Sequence, residues 1–178
     1  AWLEFRRVLF RSGARHGEIY IPVDKVTAIR WGTTISQSNY SNSYNFSMVI
    51  SGAGQVINLA WSAPSETDKS KELFDKHVGA LLTYIFPPLL ERIKLQIQAG
   101  LTLQIGPCKV NQYGVQFETK GWFSNKSHNV SWKKIKANLS NGELHLFSID
   151  DYSEKIELSL KDTNNVFVLY ILATSEES

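Results

Sequence analysis

Five lysines share one acid-free stretch. From Thr119 to Gly142 the chain has no Asp or Glu, yet it carries Lys120, Lys126, Lys133, Lys134 and Lys136. Trp122, Phe123, His128 and Trp132 are interleaved with them. Ammonium groups beside aromatic rings can grip anionic lipid headgroups or phosphates, each lysine near a membrane contributing about 1 kcal/mol. Trp122 and Phe123 follow Gly121 in a turn, where two exposed rings could enter a membrane interface or anchor a partner. The plainer reading is a solvated face with lysines outward, Trp132 in the core and a packed aromatic loop, because charge runs are usually surface.

Other candidate chemistry is thinner. His16, His77, His128 and His145 show no metal-ligand spacing. His77 sits among apolar helix positions, as a hydrogen-bonded core histidine would, and His145 alternates with Leu144 and Leu146 toward solvent. Asp150, Asp151 and Glu154 fall in a turn, where Asp is common without any cation. There is no nucleophile elbow and no phosphate loop, and Gly52-Ala53-Gly54 does not open a helix as a dinucleotide fingerprint does. Neither an enzyme nor a cofactor or metal site is expected. Cys108 is the single cysteine, so an internal disulfide is excluded and a reducing compartment is the simplest inference.

Lys+Arg 19 against Asp+Glu 17 gives a net charge of +2, too close to neutral to imply nucleic acid. Residues 1–12 hold three Arg and one Glu, so the rest of the chain is balanced. The string EFRRVLFRS within them resembles translated adapter remnants at the ends of metagenomic reading frames, and it is set aside from fold reasoning.

The elements that must position these groups are mostly strands. Glu18 to Trp31 alternates like a strand pair, with Ile19, Ile21 and Val23 in phase, then a slip at Asp24-Lys25. Thr33 to Asn45 is polar and reads as a long exposed loop or hairpin. Phe46–Ile50 and Gln55–Trp61 flank a turn-forming tetrad at Ser51-Gly52-Ala53-Gly54. Leu73, Phe74, His77, Val78, Leu81, Leu82 and Ile85 then recur at helical spacing, and the polar run Pro64–Asp68 caps that helix. Pro87 and Pro88 remove two backbone donors, so the helix must kink or restart before running to a stop at Gly100. Val78 to Leu90 is too short for a bilayer, which takes about 20 residues.

Strands are expected at Leu101–Ile105, Cys108–Asn111, Gly114–Thr119, Asn129–Trp132, Ile135–Leu139, Glu143–Ile149 and Lys155–Leu160. Asn141-Gly142 is a tight hairpin signal. Asp162-Thr163-Asn164 caps a last helix over Val166–Thr174. A repeat organises the whole. Ile21 to Ala28 aligns with Val130 to Ala137, phase slip included, and Ile57 and Leu59 align with Ile156 and Leu158, each pair leading into a helix.

Pro87-Pro88-Leu89-Leu90, Gly100 to Gly106, Gly114-Val115, Val130-Ser131-Trp132 and Asn164 to Leu169 occur in an order that resembles the bacterial pleckstrin-homology-like (PH-like) fold. More narrowly, it is similar to an uncharacterised bacterial family that joins N-terminal membrane helices to such domains. The expected fold class is α+β, mostly β: two PH-like units, each a bent antiparallel sheet closed by a C-terminal helix. The division is a tail over 1–17, a truncated unit over 18–98 ending in a long kinked helix, a complete unit over 99–174 and a polar tail over 175–178. The resemblance implies no activity. It implies a non-catalytic binding module, cytoplasmic and held at the inner face of a membrane in the intact parent. The partner would be a protein or peptide, with an anionic membrane surface as the alternative, and the incomplete first unit would offer a route to a homo-oligomer.

Overall fold

The computed structural model describes residues 19–37, 42–64, 69–120 and 125–175, the Lys120 side chain excepted. The protein is α+β, mostly β, with three antiparallel sheets. It divides into two compact units, Ala1–Glu91 and Arg92–Ser178. The boundary falls seven residues before the expected one at 98, and Ile97 lines a groove with Trp132 and Leu172 of the second unit.

In the first unit a 3-10 turn at Val23–Lys25 precedes β1 (Val26–Gln37), β2 (Asn42–Gly52) and β3 (Gln55–Ala63), which form one sheet in that order. Ile19 to Pro22 is not strand, which corrects the expected strand pair: the phase slip is a helical turn, closed by the Lys25 N–H on the Pro22 carbonyl at 2.9 Å. The stretch expected as a long loop or hairpin is two hairpin arms, with Thr33 opposite Phe46 and Gln37 opposite Asn42. Alternation puts Ile29, Trp31, Met48, Ile50 and Leu59 on one buried face. The other face is polar, where Ser62 Oγ donates to Asn45 Oδ1 at 2.6 Å and Asn45 Nδ2 donates to Ser36 Oγ at 3.0 Å.

Helix α1 (Lys69–Ala80) docks through aromatic rings. Phe74 lies 5.2 Å from Phe46 and 5.9 Å from Trp61, and Trp61 lies 5.6 Å from His77. Such pairs add about 0.5–1.5 kcal/mol each beyond simple burial. Trp61 Nε1 also donates to the Ser70 carbonyl at 3.2 Å, which ties the strand end to the first helical turn. His77 is fully buried with Nδ1 2.6 Å from the Leu73 carbonyl oxygen, the core histidine expected. The expected cap at residues 65–68 lies outside the described residues.

The proline pair does not break the helix sharply. A π-helical turn at Leu81–Ile85 leads into α2 (Phe86–Gln98), and the Phe86 N–H bonds the Leu81 carbonyl. Widening the turn just ahead of Pro87 and Pro88 relieves the clash a proline ring makes with a carbonyl one α-turn back. Gly100 (φ 85) then ends α2, with the Leu101 N–H reaching back to the Gln96 carbonyl at 3.1 Å, a left-handed glycine stop.

The second unit has a four-stranded sheet, β4 (Leu103–Ile105), β5 (Cys108–Asn111), β6 (Gly114–Lys120) and β7 (Asn125–Ser131). A 3-10 turn at Trp132–Lys134 leads to a three-stranded meander, β8 (Ile135–Ser140), β9 (Glu143–Ser148) and β10 (Lys155–Ser159), then α3 (Val166–Ser175). The order 3-10 turn, three-stranded meander, helix thus occurs in both units. Helix α3 packs on β8 and β9, and β10 touches β6. Val110, Val115, Phe117, Leu144, Leu146 and Leu169 are among the core residues. Two details differ from expectation. β7 begins four residues before Asn129, because pairing with β6 (Lys120 opposite Asn125) carries a polar segment that no apolar alternation marks. The residue entering α3 is Asn165, in the left-handed region at φ 61, while the Asp162 carboxylate meets Ser159 and Lys161. Among the described residues no helix is long and apolar enough to cross a membrane.

Candidate functional site

The acid-free lysines do not converge. Lys126 lies near the start of β7, and Lys133 and Lys134 lie in the 3-10 turn after it. Five residues of strand, about 17 Å, separate Lys126 from the end of β7. Lys136 sits on β8, opposite Phe147. The side chain of Lys120 and the whole of Trp122 and Phe123 lie outside the described residues.

The turn between β9 and β10 reaches in among these lysines. Lys134 donates to Asp150 Oδ2, and that hydrogen bond, with the carboxylate charge, raises the ammonium above its ordinary value. Asp151 accepts from the Ser153 backbone N–H at 2.9 Å. Hydrogen bonding from Ser153 holds its carboxyl below the usual range, and the charges of Lys126 and His128 add to the effect. Acidic groups remote in sequence thus answer Lys126 and Lys134. Lys133 is exposed and Lys136 half-buried. Trp132 is buried, with Nε1 donating to the Asn111 carbonyl at 2.9 Å. His145 is half-buried, 3.4 Å from Glu157 Oε1.

His128 was not separable from the lysine run by sequence. It is buried, stacked on Phe117 at 5.3 Å, with Nε2 2.7 Å from Thr119 Oγ1 and Nδ1 3.3 Å from Glu154 Oε1. No aligned hydrogen bond reaches Nδ1. Among the described residues no three His, Cys, Asp or Glu side chains are grouped to hold a metal. A groove of about 260 Å³ in this unit is lined by Ile97, Trp132 and Leu172, with Lys94 as its ionisable side chain.

The feature best built to engage another molecule is the outer edge of β3. Ala53 (φ 51) and Gly54 (φ 72) are both left-handed, the two-residue turn whose twist suits a hairpin. That turn makes Gly52 and Gln55 a hydrogen-bonded pair, and alternation then turns the N–H and C=O of Val56, Asn58, Ala60 and Ser62 away from β2. All four residues are exposed, Val56 by 54%. None of the described backbone groups pairs with them, and among the described strands β3 is the last of its sheet.

Natural edges are usually blunted by brevity, charge, proline or a bulge. β4 has three residues, β10 carries Lys155 and Glu157, β7 carries Lys126 and β8 carries Lys136. β3 has nine residues, no charge, no proline and an unbroken register with β2. The sequence did hold a signal for this: residues 31–65 contain no Asp, Glu, Lys or Arg.

No family model, curated protein or solved structure matches this chain.

Proposed function

We propose that the chain is a non-catalytic interaction module, a tandem of PH-like units from a membrane-anchored parent, that takes up a protein or peptide partner by strand addition to β3. The observation that carries this is the nine-residue uncharged edge, whose outward backbone groups meet no partner among the described residues. Strand addition draws affinity from main-chain hydrogen bonds and specificity from alternate side chains. Binding at anionic membranes through Lys126, Lys133, Lys134 and Lys136 has less support, since Asp150 pairs with Lys134 and Asp151 stands near Lys126.

The test uses a displayed library of extended peptides selected on the wild-type chain. Asn58→Pro and Ala60→Pro each remove one outward N–H and leave the donors to β2 in place, a position where an edge strand tolerates proline. Selected peptides should bind the wild type and lose tenfold or more against either variant. Equal binding to all three proteins would place the docking surface elsewhere.

A further inference from the structure

We infer that a second copy of this chain occupies β3, the two strands running antiparallel about a two-fold axis at Leu59. This rests on the reading of β3 as a docking edge and names its partner. The outward-facing residues are disposed symmetrically about Leu59, with Asn58 and Ala60 one step away and Val56 and Ser62 three steps away. Rotation about that axis sets Val56 opposite Ser62 of the second copy and Asn58 opposite its Ala60. Every outward N–H then meets an outward C=O, on the order of eight hydrogen bonds, and two three-stranded sheets become one of six.

The side chains agree with that register. Ile57 falls opposite Trp61 of the second copy, an aliphatic–aromatic cross-strand pair of a favourable kind. No charge opposes a like charge, because β3 carries none. The same operation on β10 would set Glu157 against Glu157, which like-charge repulsion disfavours. A self-complementary patch of this kind closes as a dimer and does not propagate.

The experiment is sedimentation equilibrium over a wide range of chain concentration, together with oxidative cross-linking. The wild type should reach twice the chain mass, and Asn58→Pro should remain a monomer whose melting temperature matches that of the wild type diluted until it too is monomeric. Should that variant fold poorly, Ala60→Lys is the second probe, since it keeps the N–H and brings two like charges near the axis. An equimolar mixture of Asn58→Cys and Ala60→Cys chains should cross-link, and neither chain should cross-link alone. Self-cross-linking of either variant, or a dimer that survives both Asn58→Pro and Ala60→Lys, overturns the inference. A wild type that stays monomeric while binding library peptides in a proline-sensitive way overturns the second copy and leaves strand addition standing. A monomer that binds no such peptide removes both.

Discussion

His128 and Glu154 face each other at 3.3 Å between Nδ1 and Oε1, one residue on β7 and the other in the turn before β10, without an aligned hydrogen bond. The ring is almost wholly enclosed and stacks on Phe117. It fills core volume and keeps Thr119 and Glu154 close to a polar neighbour. Replacing His128 with Ala should destabilise the protein by about 2–4 kcal/mol, the range for deleting a large buried side chain. Urea unfolding read by tryptophan fluorescence checks this, and a loss under 1 kcal/mol would mean that the site collapses around the gap.

Asp151 gives a pH dependence of defined sign. Hydrogen bonding from Ser153, then the charges of Lys126 and His128, keep its folded-state value below the ordinary 3.8. A depressed carboxyl contributes stability that is whole above its unfolded value and is lost as pH falls through the folded one. The group is exposed, so the increment is small. Wild type and Asp151→Asn should therefore differ in urea midpoint near neutral pH and converge as the solution is acidified below about pH 4. A gap that widens in acid would contradict the assignment.

The turn between β2 and β3 contains a strained residue. Ala53 adopts φ 51, a region that costs an L-residue with a β-carbon about 1–2 kcal/mol relative to glycine. The equivalent turn between β8 and β9 uses Asn141 at the same φ. Ala53→Asn or Ala53→Gly should raise stability by about 0.5–1 kcal/mol, measured by thermal or urea unfolding. A neutral or negative effect would show that the turn is held by something beyond its own backbone preference.

Cys108 should be chemically silent in the folded state. It is fully buried, and burial pushes its thiol up to about 12. Because the thiolate is the reactive form, alkylation by iodoacetamide at pH 8 should be limited by unfolding and should accelerate in urea in step with loss of structure. Rapid labelling of the native chain would indicate local opening of β5.

The sequence was most legible where local chemistry settles the backbone. Asn141-Gly142, Gly100 and the phase slips at Asp24-Lys25 and Lys133-Lys134 mark a tight turn, a helix end and two 3-10 corners. It was least legible where partners lie far apart along the chain. The pairing of Lys134 with Asp150 and of His128 with Glu154 depends on strand register, which no local pattern carries. β7 starts inside a polar run because β6 supplies its ladder. β3 as an alternating strand was visible, but its place at the end of the described sheet depends on pairing that no local pattern carries.

The wide turn before the two prolines also sets an angle. Within the first unit His77, Leu81, Ile85 and Leu89 are all buried and recur every fourth residue. At 3.6 residues per turn, each such step drifts roughly 40° around a regular helix, so three steps would carry the row about 120°, a third of the way round. A segment with more residues per turn winds part of that drift back. The π turn therefore acts as a phase corrector: a sequence written with a period of four can keep its apolar row inward for longer than an uninterrupted α-helix would allow.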